Sequence, residues 1–563
     1  MERARDKLGD GLAALGLAGV LSAGWAARDW AALFTLRLPD TDDLARLQQI
    51  RDWLGGQPFA DMAQHRLANG LMMHWSRLPD LVPAAFIRCL TPLVGQHGAE
   101  LAAVVAWPAM LFAAMLFLVA RITRIVAPES ARTALVVAAI AYPVTSLFAP
   151  GRIDHHGLQI VLLLLGVRAL LGRPGAANGA LFALASTASL VIGMEIAPFL
   201  AVMAGWMAAR WLRGAPGAPL AGFGAALLGA MMAARAIFGG NGWSYPACDG
   251  FNDIVWQLAM LGGGGALALG VGTRWLTGLP ARAAAAAVTL GAVLALGWPA
   301  ARACLHPYGN VDPLLARLWL DHVAEAQSLL VVPPASAIGY AGLLLAGIGA
   351  ALWRWRASHA PGWAVLLSLQ LASLALALFE LRGVYAGAIV GVPALAAGIT
   401  VARAHGAAAL ASAWLAAAGM LYPLAAQALV APVAPAASPG CGGLAALTRQ
   451  PPALVIAGID HGPALLIGTR HRVLAAPYHR NNAGNGAMYR FFLSPPEAAA
   501  GIARRWGAGL VLLCPGDFDE IAAEIGKDSL IARLRAGDPP VWLRPVAPGL
   551  YRVAGLPERP ATL

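Results

Sequence analysis

Apolar runs long enough to cross a bilayer, about 20 residues each, follow one another almost without pause from residue 11 to residue 430. They lie at 11–36, 101–120, 132–150, 157–171, 177–193, 195–210, 216–236, 254–272, 283–304, 334–352, 363–379, 383–402 and 406–430. The pattern predicts a mainly α, polytopic membrane protein with roughly thirteen transmembrane helices. Short basic clusters separate the runs: Arg3, Arg5 and Lys7; Arg121 and Arg124; Arg168 and Arg173; Arg210 and Arg213; Arg274 and Arg282; Arg354 and Arg356; and Arg403. Excess Lys and Arg mark cytoplasmic loops, so an odd number of spans puts the N-terminus in the cytoplasm and the C-terminal region outside. A basic start before an apolar run also resembles a signal peptide, but the acidic loop that follows favours an uncleaved first helix.

Three outer segments break the apolar pattern. The first, 37–100, contains "DDLARLQQIRDWL", where Leu44, Leu47, Ile50 and Leu54 recur at helical spacing. This predicts an amphipathic helix lying at the membrane interface, capped by Asp42 or Asp43. The second is the turn Gly151 to His156. The third is "HPYGNVDPLLARLWLDHVAEAQSLLVVPP", where Leu315, Leu318 and Val323 predict another interfacial helix. "PVAPAASPGCGG" at 432–443 reads as a linker. Residues 1–432 are therefore expected to form the membrane domain, with its large first outer loop, and 433–563 a small periplasmic α/β domain. In that domain "ALVIAG", "ALLIG", "RVLAAP" and "GLVLLCPG" read as strands, and "PPEAAAGIARRWG" and "FDEIAAEIGKDSLIARLR" as helices.

Composition agrees: 59% of residues are hydrophobic and 12% charged, where a soluble domain carries about 25% charged, and the mean hydropathy is +0.64. The net charge of +11 does not imply a nucleic-acid partner, because the arginines form no single stripe. It records topology and contact with anionic lipid. Of the five cysteines, Cys248, Cys304, Cys441 and Cys514 fall on the outer side. Two bridges in an oxidising compartment and isolated buried thiols both fit.

Ionisable groups at a membrane edge are costly to bury and so are functional candidates. Asp40, Asp42 and Asp43 follow the first helix, Asp154 and His156 follow the third, Glu195 sits at the outer end of the fifth, and Glu325 lies in the later loop. A carboxylate-rich set with one imidazole suits Mg²⁺ or Mn²⁺, which would neutralise a phosphate or pyrophosphate leaving group. Zinc fits less well, since no second His or Cys stands at helical ligand spacing within one segment. His155 reads as an orienting or solvent-facing neighbour. For Asp154 the competing reading is a helix cap, and for Glu325 a solvated helix face.

With these motifs in place the chain resembles the GT-C membrane glycosyltransferases, and among them the catalytic subunits of oligosaccharyltransferase. Those have thirteen transmembrane helices and an outer C-terminal domain. Their first loop opens with a metal-binding Asp nine residues before an Arg, as Asp42 precedes Arg51 here. "GRIDHHGLQ" resembles the archaeal D-H-H form of the second motif, which implies metal-ligand roles for Asp154 and His156. "LDHVAEAQSL" places Glu325 where the family has a Glu that reaches metal and acceptor. Arg382 in "FELRGVYAGAIVGVP" stands where a family Arg contacts the lipid phosphate; its alternatives are a buried pair with Glu380 and snorkelling to the interface. The family's WWDYG acceptor motif is represented by "GIDHG", which keeps Asp460 and Gly462 and lacks both tryptophans, so sequon recognition does not carry over. Asp460 and His461, with His471 and His479, are acceptor-site candidates.

The resemblance implies a metal-dependent GT-C glycosyltransferase of the plasma (inner) membrane. Asp42, Asp154, His156 and Glu325 would hold the metal, and Asp42, Asp154 and Glu325 would act in catalysis. The donor would be a polyprenyl-phosphate or polyprenyl-pyrophosphate sugar, and the periplasmic acceptor a protein, lipid or polysaccharide. A transporter or flippase for a lipid-linked or ionic substrate is the alternative, although its charges would belong at mid-membrane rather than at the outer face.

Overall fold

A computed structural model describes residues 2–305, 311–429 and 441–555, so most of the expected linker at 432–443 lies outside the described residues. The chain divides into two compact units. One comprises Met1–Arg37, Trp75–Pro307 and Ala324–Pro432, the other Leu38–His74, Tyr308–Val323 and Val433–Leu563. The second unit is thus assembled from three stretches of chain, where the sequence reading expected the C-terminal stretch alone.

The first unit is helical. Among the described residues, seven helices are long and apolar enough to cross a membrane: Asp6–Arg28, Leu81–Val126, Ala218–Phe238, Asp253–Gly272, Gly278–Leu305, Pro334–Ser358 and Leu381–His405. A pair bent by 88°, Ala407–Ala417 with Leu421–Ala428, makes an eighth if counted as one span, and His156–Leu171, Ala176–Ile192 and Pro361–Ala377 are shorter apolar helices. Two expected spans are broken. The run 132–150 is a helix Ala131–Ala139 followed by a 3-10 turn Val144–Phe148, because Pro143 lacks an N–H and keeps Tyr142 out of the helical region. The run 406–430 breaks around Gly419, where a Cβ would stand 2.7 Å from the Tyr142 nitrogen. The two interruptions pack on each other, and only glycine permits that approach. Leu81–Val126 is itself two helices joined at Gly95, whose φ is 73°.

The second unit holds a five-stranded mixed sheet in the order Arg472–Val473, Leu454–Ile456, Ala508–Leu512, Leu550–Val553, Leu543–Ala547. The first three strands are parallel and the last two pairings antiparallel, with Val455 opposite Val473 and Val511 opposite Tyr551. The segment "ALLIG" is not a strand but the end of a helix, His461–Gly468. A short apolar run has no period that separates the two states; here the run packs on Thr41–Leu54. The C-terminal hairpin, closed by Pro548 and by Gly549 at φ 73°, was not foreseen, although P-G between apolar runs is a turn signal.

Both expected interfacial helices belong to this unit. In Thr41–Leu54 the apolar face, with Leu47 and Ile50 at 0% exposure, packs on His461–Gly468. Its cap is Asp40, which accepts from the Asp42 N–H at 3.1 Å. Pro313–Leu318 places Leu315 and Leu318 in one core cluster with Ile456, Met488, Phe492 and Val511. Hydrophobic periodicity picked out Leu47, Ile50, Leu315 and Leu318 as buried, missed the polar Asp43, Arg46, Gln48 and Gln49 buried with them, and misidentified what covers them.

Candidate metal centre

Within the helical unit, Gly151 adopts a φ of 94° and its N–H donates to Val104 O at 2.8 Å. That turn delivers Arg152 to His156 to the start of the helix His156–Leu171. Asp154 does two jobs there. Its Oδ1 accepts the His156 N–H at 3.0 Å, satisfying one of the helix's unpaired donors, and its Oδ2 accepts from the Arg152 guanidinium. Burial by itself would raise the Asp154 carboxyl; Arg152, His156 and His155 outweigh it and hold the group well below the usual carboxylate range.

Glu195 arrives from the turn between Ala176–Ile192 and Ala197–Leu212. Buried Gln159 ties that turn to the helix His156–Leu171 by donating to Ser189 O and Gly193 O at 3.2 and 3.4 Å. Glu195 Oε1 then lies 3.3 Å from His155 Nε2, and its Oε2 lies 3.5 Å from His156 Nε2. The two imidazoles stack with centroids 4.4 Å apart. One ligand atom from each of His155, His156 and Glu195 falls within 4.8 Å of the other two.

Both ring nitrogens of His156 are buried and make no hydrogen bond of normal geometry among the described residues, although Nδ1 stands 3.2 Å from Asp154 Oδ2. A buried imidazole so loosely held by its neighbouring carboxylates is costly, and coordination of a cation by one nitrogen would satisfy it. The residues present therefore fit a metal ion.

Of the four expected ligands, His156 is in this three-membered cluster and Asp154 adjoins it. Glu325, exposed in the 3-10 turn Ala324–Ala326, acts on His156 through its charge. Asp42 belongs to the second unit, in the first turn of Thr41–Leu54, where its charge, with that of Asp40, adds to burial in pushing the Tyr478 hydroxyl up. Arg382 pairs with Glu380 at 2.7 Å, half-buried rather than buried, and also lies 3.4 Å from Glu195.

Asp460 and His461 start a helix of the second unit, and His461 Nε2 is 2.8 Å from Asp517 Oδ1. His471 is buried between strand and helix, its Nδ1 accepting from Ala453 N at 3.1 Å, and His479 packs on His74 with centroids 4.7 Å apart. Sequence reasoning missed His155 as a member of the cluster and left Glu195 without a role. The signal for Glu195 was an acid in "GMEIAPF", immediately before a proline-started helix.

No family model matches the sequence, and no curated protein matches it. Solved structures do. The archaeal oligosaccharyltransferase AglB from Archaeoglobus fulgidus, in complex with an inhibitory peptide and a dolichol-phosphate, superposes with a TM-score of 0.68 at 15% identity, over 89% of this chain and 69% of that one. An Archaeoglobus fulgidus oligosaccharyltransferase with Zn and sulfate gives 0.64 at 15% identity, over 89% and 67%. One tethered through a disulfide to an acceptor peptide containing the NVT sequon gives 0.66 at 15% identity, over 89% and 68%. The chain therefore has the oligosaccharyltransferase-like GT-C fold.

Proposed function

We propose that this protein is a metal-dependent glycosyltransferase that moves a sugar or oligosaccharide from a polyprenyl-phosphate or polyprenyl-pyrophosphate to an acceptor on the outer side of the plasma membrane. The observation that carries this is the His155–His156–Glu195 cluster, with Asp154 beside it, on helix ends of an oligosaccharyltransferase-like fold. Two imidazoles and a carboxylate suit a borderline ion, Zn²⁺ or Mn²⁺, better than Mg²⁺, which prefers an all-oxygen shell. A bound divalent ion would supply charge neutralisation at the donor's phosphate oxygens.

The chain's own residues do the rest. Asp154, pinned by Arg152, orients His156. Arg382 exchanges part of its pairing with Glu195 and Glu380 for a phosphate oxygen, which a guanidinium matches in geometry and charge. Glu325 takes the acceptor's proton as the nucleophile attacks the anomeric carbon and inverts it, while the anomeric C–O bond breaks and the phosphate or pyrophosphate leaves on its polyprenyl carrier. The spacing of Asp42 and Arg51 implies a part in the reaction for Asp42 as well, and Asp460 and His461 are the acceptor-side candidates of the second unit.

The Arg and Lys clusters support a cytoplasmic N-terminus, about thirteen spans and a periplasmic second unit. The disulfides Cys248–Cys304 and Cys441–Cys514 favour two bridges over isolated thiols and support an oxidising, outer-side location for the segments they join.

Membranes carrying the protein should consume a radiolabelled polyprenyl-linked sugar in a reaction that chelator stops and divalent metal restores. Asp42→Ala and Glu325→Gln should each lose activity by at least about tenfold, the scale on which loss of a metal-site or proton-transfer group acts. Chelator-insensitive turnover would sink the metal dependence. Transbilayer movement of the lipid without glycosyl transfer would favour a flippase.

A further inference from the structure

The second unit contains another convergence of metal-ligand side chains, separate from the site above. His461 opens the helix His461–Gly468, and Cys514 and Asp517 follow the strand Ala508–Leu512. Asp517 joins them: its Oδ1 faces His461 Nε2 at 2.8 Å and its Oδ2 accepts the Cys514 N–H at 2.8 Å. One ligand atom from each of His461, Cys514 and Asp517 lies within 4.8 Å of the other two. Gly458 faces the pair without a side chain, and a Cβ there would come to 3.4 Å from both the Asp517 carboxylate and the His461 ring. The sulfur, however, is bonded to Cys441, and a disulfide sulfur is a poor ligand where a thiolate is a strong one.

We propose that the Cys441–Cys514 disulfide masks a zinc-type metal site formed by His461, Cys514 and Asp517, which opens when the bond is reduced. The reductant is a dithiol. Its thiolate attacks one sulfur, the Cys441–Cys514 bond breaks, and the dithiol closes to its own disulfide while both cysteines take up protons as thiols. On metal binding Cys514 releases its proton to solvent. The site then presents one nitrogen, one thiolate and one carboxylate, and water completes the tetrahedron. Thiolate and carboxylate together neutralise a divalent ion. Asp460, whose charge acts on His461, adds to the attraction.

Cobalt(II) reads this site directly, because sulfur ligation gives a thiolate-to-cobalt charge-transfer band in the near ultraviolet that the His155–His156–Glu195 site has no sulfur to produce. The full chain in detergent is used in a Cys89→Ser background, since Cys89 is an exposed free thiol. The oxidised protein should show no band. Cys441→Ser, which leaves Cys514 as a thiol, should show it without reductant at one equivalent of cobalt. His461→Ala in that background should weaken cobalt binding by at least about tenfold, as loss of a metal-site residue does. Should Cys441→Ser fail to fold, the dithiol-reduced Cys89→Ser protein carries the test, with Cys514→Ser as its blank. Absence of the band from folded, thiol-bearing protein, or its persistence in Cys514→Ser, overturns the proposal.

Discussion

At the residue scale, Asp154 shows the capping half of the two readings that sequence left in competition: one carboxylate oxygen accepts a helix N–H while the other meets Arg152. Those roles separate by substitution. Asp154→Asn keeps an acceptor for the His156 N–H but removes the charge that Arg152 meets, and should abolish activity and lower the unfolding temperature through the broken ion pair alone. Asp154→Ala should in addition lower stability by about 0.5–2 kcal/mol, the usual scale of a lost cap. Equal unfolding temperatures for the two would show that the hydrogen bond contributes nothing. His461 carries a pH prediction. Burial would lower its pKa, but the Asp517 hydrogen bond and charge outweigh burial and raise it above the ordinary 6.5. The pair's stabilisation is then complete below about pH 6.5, the unfolded value, and is lost as pH rises through the higher folded value. An NMR titration that placed His461 below 6.5 would reverse the sign. Asp154 and His156 were legible because D-H-H stands between apolar runs. His155 was not, because adjacent residues at a helix start point in directions that the sequence does not encode. Glu195 becomes a partner only through the turn that Gln159 holds.

At the scale of elements, the amphipathic helices were legible and their partners were not. Periodicity specifies which face is buried, and a bilayer and a protein core satisfy it equally. For Thr41–Leu54 the partner is the helix His461–Gly468, and the attachment is polar as well as apolar. Arg51 of Thr41–Leu54 donates to Ile467 O at 3.0 Å, and Arg66, beyond that helix, donates to Leu466 O and Thr469 O at 2.5 and 2.8 Å. Two guanidiniums therefore satisfy carbonyls at a helix C-terminus, where cations are favoured. Arg51, identified through the family spacing, thus has a structural task visible in the fold. Arg66→Ala should destabilise the second unit by about 1–3 kcal/mol, the cost of stranding buried acceptors. Leu47→Ala should cost about 2–5 kcal/mol through the cavity it leaves. Thermal unfolding followed by limited proteolysis checks both; an unchanged Leu47→Ala would restore the interfacial reading of this helix.

For the whole molecule, the helical character and the oligosaccharyltransferase-like fold were readable from apolar runs and three short motifs. The composition of the second unit was not, because pairing 38–74 and 308–323 with the C-terminal stretch rests on contacts several hundred residues apart in sequence. The central claim is that the His155–His156–Glu195 cluster holds a metal that glycosyl transfer requires. Its most direct test is metal-dependent transfer from a radiolabelled polyprenyl-linked sugar in membranes containing wild type, His156→Ala or Glu195→Gln, together with the metal content of each purified protein. The account predicts that both variants insert normally, lose bound metal, and fall in activity by roughly a hundredfold or more, in keeping with loss of a metal-held electrostatic contribution. Wild-type turnover and metal content in a correctly inserted Glu195→Gln protein would contradict it.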